Sequence, residues 1–225
     1  TKGKFMWWRF TFPGGCEEWY MHCTYGMSGG WCTHSSKHTA FTVSYNGSGV
    51  PITRDVQSIF FNDPRHFGTI KFVKGEEVHQ RKLDSLGPCV LTSQMSADLF
   101  AEKVLGKPSR TIAEALMDQA TISGVGNYLK AEALHRSGLS PWRPVTEITP
   151  DEYVKLHGDV HDVAAESYAS QGATISTYRT PDGSKGTTQF NFRVYSRKEC
   201  PSGHEVTREE TPEGRTSWWC PQCQH

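Results

Sequence analysis

Four side chains near the carboxyl terminus have the types and the spacing of a metal site. Cys220 and Cys223 form a C-x2-C pair, and Cys200 and His204 form a C-x3-H pair upstream. The 15 residues between the pairs are enough for one hairpin, which would bring the four side chains around a tetrahedral Zn²⁺ ion. Residues 190–225 are poor in apolar side chains, so the metal would have to stabilise them. The sequence predicts one structural zinc ion, with His204 as the least typical ligand; a tail that binds no metal is the alternative.

Between the two pairs, residues 212–215 read Pro-Glu-Gly-Arg, which is typical of a hairpin turn. This turn would place Arg215 at an exposed tip. A guanidinium in that position can donate two hydrogen bonds to one phosphate group. The competing interpretation is a solvated surface arginine.

Composition narrows the class of protein. The chain has 225 residues, 24 basic and 24 acidic, so its net charge gives no sign of a polyanion-binding tail. No apolar run approaches the length of a membrane span, and the first ten residues lack the pattern of a signal peptide. Seven cysteines, an odd number, favour a reduced intracellular protein that uses cysteine for metal.

Residues 1–88 are predicted to form β-structure. Short segments rich in β-branched and aromatic residues, separated by glycine, proline and asparagine, predict strands at 4–12, 19–25, 40–45, 56–61 and 69–73. No connection is long enough for a crossover helix, so a sandwich or barrel is expected and a parallel sheet is not.

From residue 89 the pattern becomes helical. Ser96 is predicted to cap a helix over 97–105, and Thr111 with Glu114 forms a capping box. Asn127 is predicted to cap a helix over 128–137 that Gly138 ends, and residues 149–152 open a last helix. The predicted domains are therefore 1–88, 89–189 and 190–225.

Four motifs, in order, resemble the formamidopyrimidine-DNA glycosylase / endonuclease VIII family. The stretch MDQATISGVGNYLKAEALHRSGLSP (117–141) is similar to the family's helix-two-turn-helix signature, and GRTSWWCPQCQ (214–224) is similar to its zinc finger. Residues 26–29 and 63–68 resemble two loops of its amino-terminal β-sandwich. The resemblance implies an α+β multidomain fold: part of the β-sandwich, a helix-two-turn-helix domain and a zinc-finger β-hairpin.

The resemblance also implies base-excision repair of double-stranded DNA, in which an oxidised base is removed and the strand is cleaved at the abasic site. An enzyme of this kind rotates its target nucleotide out of the duplex, and a wedge of side chains fills the gap. By the family pattern the wedge here is Met27, Arg65 and Phe67. Core packing is the alternative for Met27 and Phe67, although their loop positions favour exposure.

The family pattern assigns phosphate contacts to Lys4, Asn127 and Arg215, and it matches Glu132 to an acidic position near the site. A solvated helix carboxylate is an equally good interpretation of Glu132. The family's nucleophile, an amino-terminal proline followed by glutamate, is not found at Thr1. We therefore expect several tens of residues upstream of Thr1, an active glycosylase and lyase as the full-length parent, and little or no catalysis by the 225 residues alone.

Two other functional classes remain open at this point. One is a DNA-binding module that recognises damage without excision, and the other is a zinc-ribbon interaction protein. A second metal centre from Cys16, His22, Cys23, Cys32 and His34 is also conceivable, but these residues lack paired spacing and are expected to be ordinary strand residues.

The resemblance around TKGKFMWW and CTYGMSGGW is closer to endonuclease VIII-like members, which favours oxidised pyrimidines over 8-oxoguanine. The protein is expected to be a monomer that works beside the genome, without membrane contact.

Overall fold

The computed structural model describes residues 1–12, 17–26, 28–44, 58–92, 95–173 and 184–225. Contacts group these residues into two units. The first comprises Thr1–Lys4, Glu77–Ala169 and Phe190–His225, and the second comprises Phe5–Glu76 and Ser170–Gln189. The three predicted domains stay a prediction.

The second unit contains two antiparallel three-stranded sheets. Their orders are β1-β2-β6 and β3-β5-β4. The strands are β1 (Met6–Thr11), β2 (Glu18–Thr24), β3 (Gly30–Cys32), β4 (Thr39–Ser44), β5 (Ser58–Asn62) and β6 (Thr69–Lys74). Aromatic rings of the two sheets contact each other: Trp8 lies 5.4 Å from Trp31, and Phe41 lies 6.0 Å from the half-exposed Phe72, centroid to centroid. The expected antiparallel sandwich is confirmed.

Two elements of residues 1–88 differ from the all-β expectation. Residues 76–84 form a helix, α1 (Glu76–Asp84), and β3 is an additional short strand. Helix α1 buries one side chain, His79, so it has no apolar stripe that sequence periodicity could detect. The start of the predicted strand 56–61 lies outside the described residues.

The first unit is mostly helical, and three of its helices, the second, third and fifth along the chain, start at the predicted caps. Its other helices are α2 (Ala97–Leu105), α3 (Ile112–Met117), α4 (Asn127–Ser137) and α5 (Pro150–Ala169). The Ser96 side chain accepts a hydrogen bond from the Leu99 N–H, and Thr111 and Glu114 form both bonds of the capping box. Thr149 and Glu152 make the same reciprocal pair at the start of α5.

Helix α4 lies between two apolar clusters of this unit. Its residues Leu129, Ala133 and Leu134 belong to the main helical core, together with side chains such as Phe100 and Leu156. Ala131 faces a smaller cluster with Val194, Cys200, Val206 and Cys220. The smaller cluster holds residues 190–225, which we call the carboxyl-terminal segment, on α4.

The carboxyl-terminal segment contains one hairpin, formed by β7 (Thr207–Thr211) and β8 (Arg215–Trp219) in antiparallel register. After the hairpin, the Gln224 side chain donates to the Leu139 carbonyl at 2.8 Å, and the His225 N–H donates to the Gly138 carbonyl at 2.9 Å. Gly138 ends α4 in the left-handed conformation, φ 77°, as predicted.

Within the described residues, none of the helices combines the length and the apolar character that crossing a bilayer requires.

Candidate metal centre and anion-binding surface

The four predicted zinc ligands meet in the structure. The ligand atoms of Cys200, His204, Cys220 and Cys223 all lie within 4.8 Å of one another. His204 Nδ1 is 3.2 Å from Cys223 Sγ and 3.8 Å from Cys220 Sγ, and the Cys200 and Cys223 sulfurs are 3.9 Å apart. A tetrahedron with Zn–S bonds of about 2.3 Å has edges of about 3.8 Å, so these side chains fit a zinc ion.

Two tight turns build this centre. The Gly203 N–H donates to the Cys200 carbonyl, and the Cys223 N–H donates to the Cys220 carbonyl. Burial raises the pKa of the Cys200 thiol, but hydrogen bonds from the His204 and Ser202 backbone and from the Cys220 and Cys223 side chains together lower it. Burial and the neighbouring thiols raise the pKa of Cys223 to about 11. A bound cation would favour the thiolate form of every cysteine in the set.

The conceivable second metal centre is not assembled by the residues that the structure describes. His22 and Cys23 are buried on β2, and the Cys32 thiol donates to the His34 carbonyl. Cys16 lies outside the described residues. The strand interpretation holds for His22 and Cys23.

Glu132 is a buried structural acceptor, so the solvated interpretation is wrong. The residue is 2% exposed, and its carboxylate accepts the backbone N–H groups of Arg193, Val194 and Tyr195 at 2.7 to 3.0 Å. These bonds attach the start of the carboxyl-terminal segment to α4. The sequence missed this role because a glutamate on a helix gives no signal of a partner about 60 residues away.

Asn127 does not cap α4 as predicted. Gly126 occupies the N-cap position, without a side chain that could bond there, and Asn127 is the first helical residue. The Asn127 side-chain amide donates instead to the Thr216 carbonyl at 2.7 Å. This bond fixes β8, and with it Arg215, beside the amino end of α4.

The Lys4 side chain also lies at the amino end of α4. A Cβ atom built on Gly126 would lie 2.9 Å from Lys4 Nζ, so the lysine occupies the space that a side chain at 126 would take. Lys4 stays accessible to solvent, but the protein atoms around it and the charge of Arg215 lower the pKa of Lys4 to about 8. Arg215 is exposed at the first position of β8, as predicted. We call Lys4, Asn127 and Arg215, with the amino end of α4, the cationic cluster.

The predicted wedge residues lie in the second unit. Arg65 and Phe67 are exposed, with Phe67 at 55%, and the guanidinium carbon of Arg65 lies 5.1 Å from the centre of the Phe67 ring. Buried Asp63 holds this loop by accepting the Gly68 N–H at 2.6 Å. Met27 lies outside the described residues, but Gly26 packs so closely on Phe67 that an added Cβ would approach its carbonyl carbon to 2.6 Å.

Removal of the metal is predicted to release the carboxyl-terminal segment and leave the helices folded. The purified chain should contain one zinc per molecule by elemental analysis. Chelation should make residues 198–225 accessible to protease, because the metal joins the two ligand pairs on either side of the hairpin and the apolar cluster beneath them is small. Cys89→Ser, at a cysteine far from the cluster in sequence, should keep its zinc, whereas Cys220→Ser should lose it. Full protease resistance after complete zinc removal would contradict the prediction.

The Lys4 charge is predicted to cost stability at neutral pH. Its pKa is about 8 in the folded chain and about 10.4 in an unfolded one. The unfolded state therefore binds more protons between these values, and wild type should gain stability relative to Lys4→Met as the pH rises from about 8 to about 10.4. Thermal midpoints of both proteins near the two ends of this range measure the gain. Lys37→Met, at an exposed position, is the control, and its thermal midpoint should differ from that of wild type by the same amount at both pH values. The prediction would be wrong if the difference in midpoint between wild type and Lys4→Met were also the same at both.

Comparison with known proteins identifies relatives of the chain. Residues 86–179 match the family model described as the formamidopyrimidine-DNA glycosylase H2TH domain. The chain is 32% identical to formamidopyrimidine-DNA glycosylase of Thermus thermophilus, over 99% of this chain and 80% of that protein. It is 35% identical to the Wolbachia protein of the same name, over 76% of this chain. The chain spans 63% of the Wolbachia protein and 60% of a Rhodopseudomonas palustris relative.

Solved structures agree with this. The crystal structure of MutM (Fpg) from Thermus thermophilus has a TM-score of 0.83 and 32% identity, covering all of this chain and 80% of that one. Fpg from Lactococcus lactis, solved in a complex with DNA containing an abasic site, shares the fold with a TM-score of 0.82 at 23% identity, and the match covers 100% of this chain and 80% of that one. The closer likeness to endonuclease VIII-like members stays a prediction. The match to the Thermus protein over 99% of this chain, the helical-domain match and the assembled Cys/His cluster agree, and the chain belongs to the formamidopyrimidine-DNA glycosylase family.

Proposed function

We propose that this protein binds double-stranded DNA containing an oxidised base or an abasic site and serves base-excision repair as a DNA glycosylase with lyase activity. The observation that carries the proposal is the cationic cluster. Lys4 and Arg215 are close enough for the charge of one to lower the pKa of the other. Like charges held together repel, and a phosphate between them would relieve that repulsion.

The amino end of α4 adds to this surface. Gly126 provides no side chain to cap the helix. A helix amino terminus carries a partial positive charge and N–H groups that bind phosphate. Asn127 joins this helix end to the strand that begins with Arg215. Family membership and this geometry support Lys4, Asn127 and Arg215 as contacts to the DNA backbone.

In this proposal, Arg65 and Phe67, together with Met27, enter the duplex where the damaged nucleotide leaves it. An exposed aromatic ring with a guanidinium beside it can stack on bases and contact phosphate. Glu132 supports the site indirectly, because its carboxylate is used within the protein.

Excision requires a nucleophile, which the family resemblance assigns to an amino-terminal proline followed by glutamate. The proline amine would attack the sugar carbon and form a Schiff base, which also leads to strand cleavage. We propose that the 225 residues alone, which have threonine and not this proline at position 1, bind without catalysis. Zinc would be structural, and we propose a monomer that works beside the genome.

Arg215→Ala is predicted to weaken binding to a duplex containing an abasic-site analogue. Loss of one phosphate contact should reduce the slope of log affinity against log salt concentration by about one. Fluorescence anisotropy at several salt concentrations measures both quantities. Arg208→Ala is the matched control, because Arg208 is an exposed arginine on the other strand of the same hairpin. An unchanged slope in Arg215→Ala would remove this residue from the contacts.

Catalysis is tested by trapping with borohydride, which reduces a Schiff base to a stable protein–DNA adduct. We expect an adduct from the full-length protein and none from the 225 residues. We further propose faster excision of thymine glycol than of 8-oxoguanine, and the reverse order would overturn that preference. Damage-specific binding without trapping by the full-length protein would instead show a reader of DNA damage. Equal binding to intact and damaged duplex would favour the third class, a zinc-ribbon interaction protein.

A further inference from the structure

A buried ion pair joins α4 to the turn that precedes Arg215. Lys130 lies on α4 and its side chain is fully buried. Its Nζ donates to Glu213 Oε1 at 2.7 Å and to Thr211 Oγ1 at 3.4 Å. Glu213 is in the turn between β7 and β8 and is 13% exposed in its side chain. Thr211 Oγ1 in turn donates to the Arg215 carbonyl at 2.7 Å.

A pair of this kind does little for net stability. Removing a lysine from water costs several kcal/mol, and its attraction to a carboxylate offsets that cost only in favourable geometry. Here burial lowers the pKa of Lys130, Glu213 opposes that change, and Arg215 reinforces it. The Glu213 Oε2 atom is buried without a hydrogen-bond partner among the described residues, so Lys130 is the partner that the structure shows for this carboxylate.

The geometry has two consequences for Arg215. The turn backbone is held against α4, because Lys130 contacts both Thr211 and Glu213 while Asn127 holds Thr216 on the other side of Arg215. In addition, the Lys130 ammonium offsets the Glu213 carboxylate, which would otherwise leave an uncompensated negative charge two residues from Arg215 and repel a DNA phosphate.

We propose that Lys130 and Glu213 are positioning residues that hold Arg215 in the orientation for phosphate binding. This inference rests on the proposed DNA-binding function. Lys130 itself touches no DNA in this arrangement, since its side chain is enclosed by protein. Its effect on binding must therefore pass through Arg215.

The first test does not involve DNA. In wild type the Gly214 N–H donates to the Thr211 carbonyl at 2.8 Å within the turn. Hydrogen exchange of the turn amides should accelerate in Lys130→Met, because an unpaired buried Glu213 will draw the turn toward water. Arg143→Met, which breaks the partly exposed Arg143–Glu152 pair elsewhere in this unit, should leave the turn unchanged. Unaltered exchange in a folded Lys130→Met protein would overturn the proposal.

The second test is a double-mutant cycle in damaged-DNA binding. Lys130→Met alone should weaken binding by about tenfold and reduce the salt slope by about one. In an Arg215→Ala background the same substitution should change the affinity by less than about twofold and the slope not at all. An equal loss in both backgrounds would show a general structural effect and overturn the positioning role.

Two further measurements separate the possible failures. If Lys130→Met does not fold, Glu213→Gln keeps the size of the turn residue and a hydrogen-bond acceptor, and it should give the same pattern in weaker form. If wild type does not prefer damaged duplex, or Arg215→Ala binds like wild type, the proposed function fails while the exchange result still reports on the Lys130–Glu213 contact. Accelerated exchange without any loss of DNA affinity would retain that contact as a support of the turn but overturn its role in binding.

Discussion

Helix α4 is buried on two opposite sides, and the rest of the first unit depends on this constraint. Residues 129–134 are all buried, and they include a lysine and a glutamate. The apolar members pack into the helical core on one side and against the carboxyl-terminal segment on the other. The two charged members must therefore find partners inside the protein, and both find them in the carboxyl-terminal segment. The helix that resembles the family signature is thus also the support for the metal-binding hairpin.

The local parts of this architecture could be predicted from sequence because their causes are local. Capping boxes at Thr111 and Thr149 follow from residues three positions apart, and the strands follow from short apolar runs between turns. The four metal ligands were found from spacing alone, since two short pairs fold back through one hairpin. In each case the partners are close in sequence or joined by one turn.

The long-range polar contacts could not be predicted in this way. Asn127 is a residue type that commonly caps helices, but its side-chain amide donates a hydrogen bond to a strand residue 89 positions away. Glu132 and Lys130 look like the solvent-facing side of a helix, and only the packing of a distant segment turns them inward. Helix α1 could not be predicted for the opposite reason. It buries too little apolar surface to give the sequence a helical periodicity of apolar residues. Net charge could not predict the cationic cluster either, because this cluster is a local arrangement within a chain of zero net charge.

The three hydrogen bonds to Glu132 affect how genetic data on this protein should be interpreted. Glutamine offers one acceptor oxygen in place of two, and aspartate is one methylene shorter, so neither can replace all three bonds in the same place. Substitutions here should abolish function as thoroughly as substitutions of residues that contact a ligand. A saturation screen would therefore rank Glu132 with positions that contact a ligand, although each of its three bonds comes from the protein's own backbone.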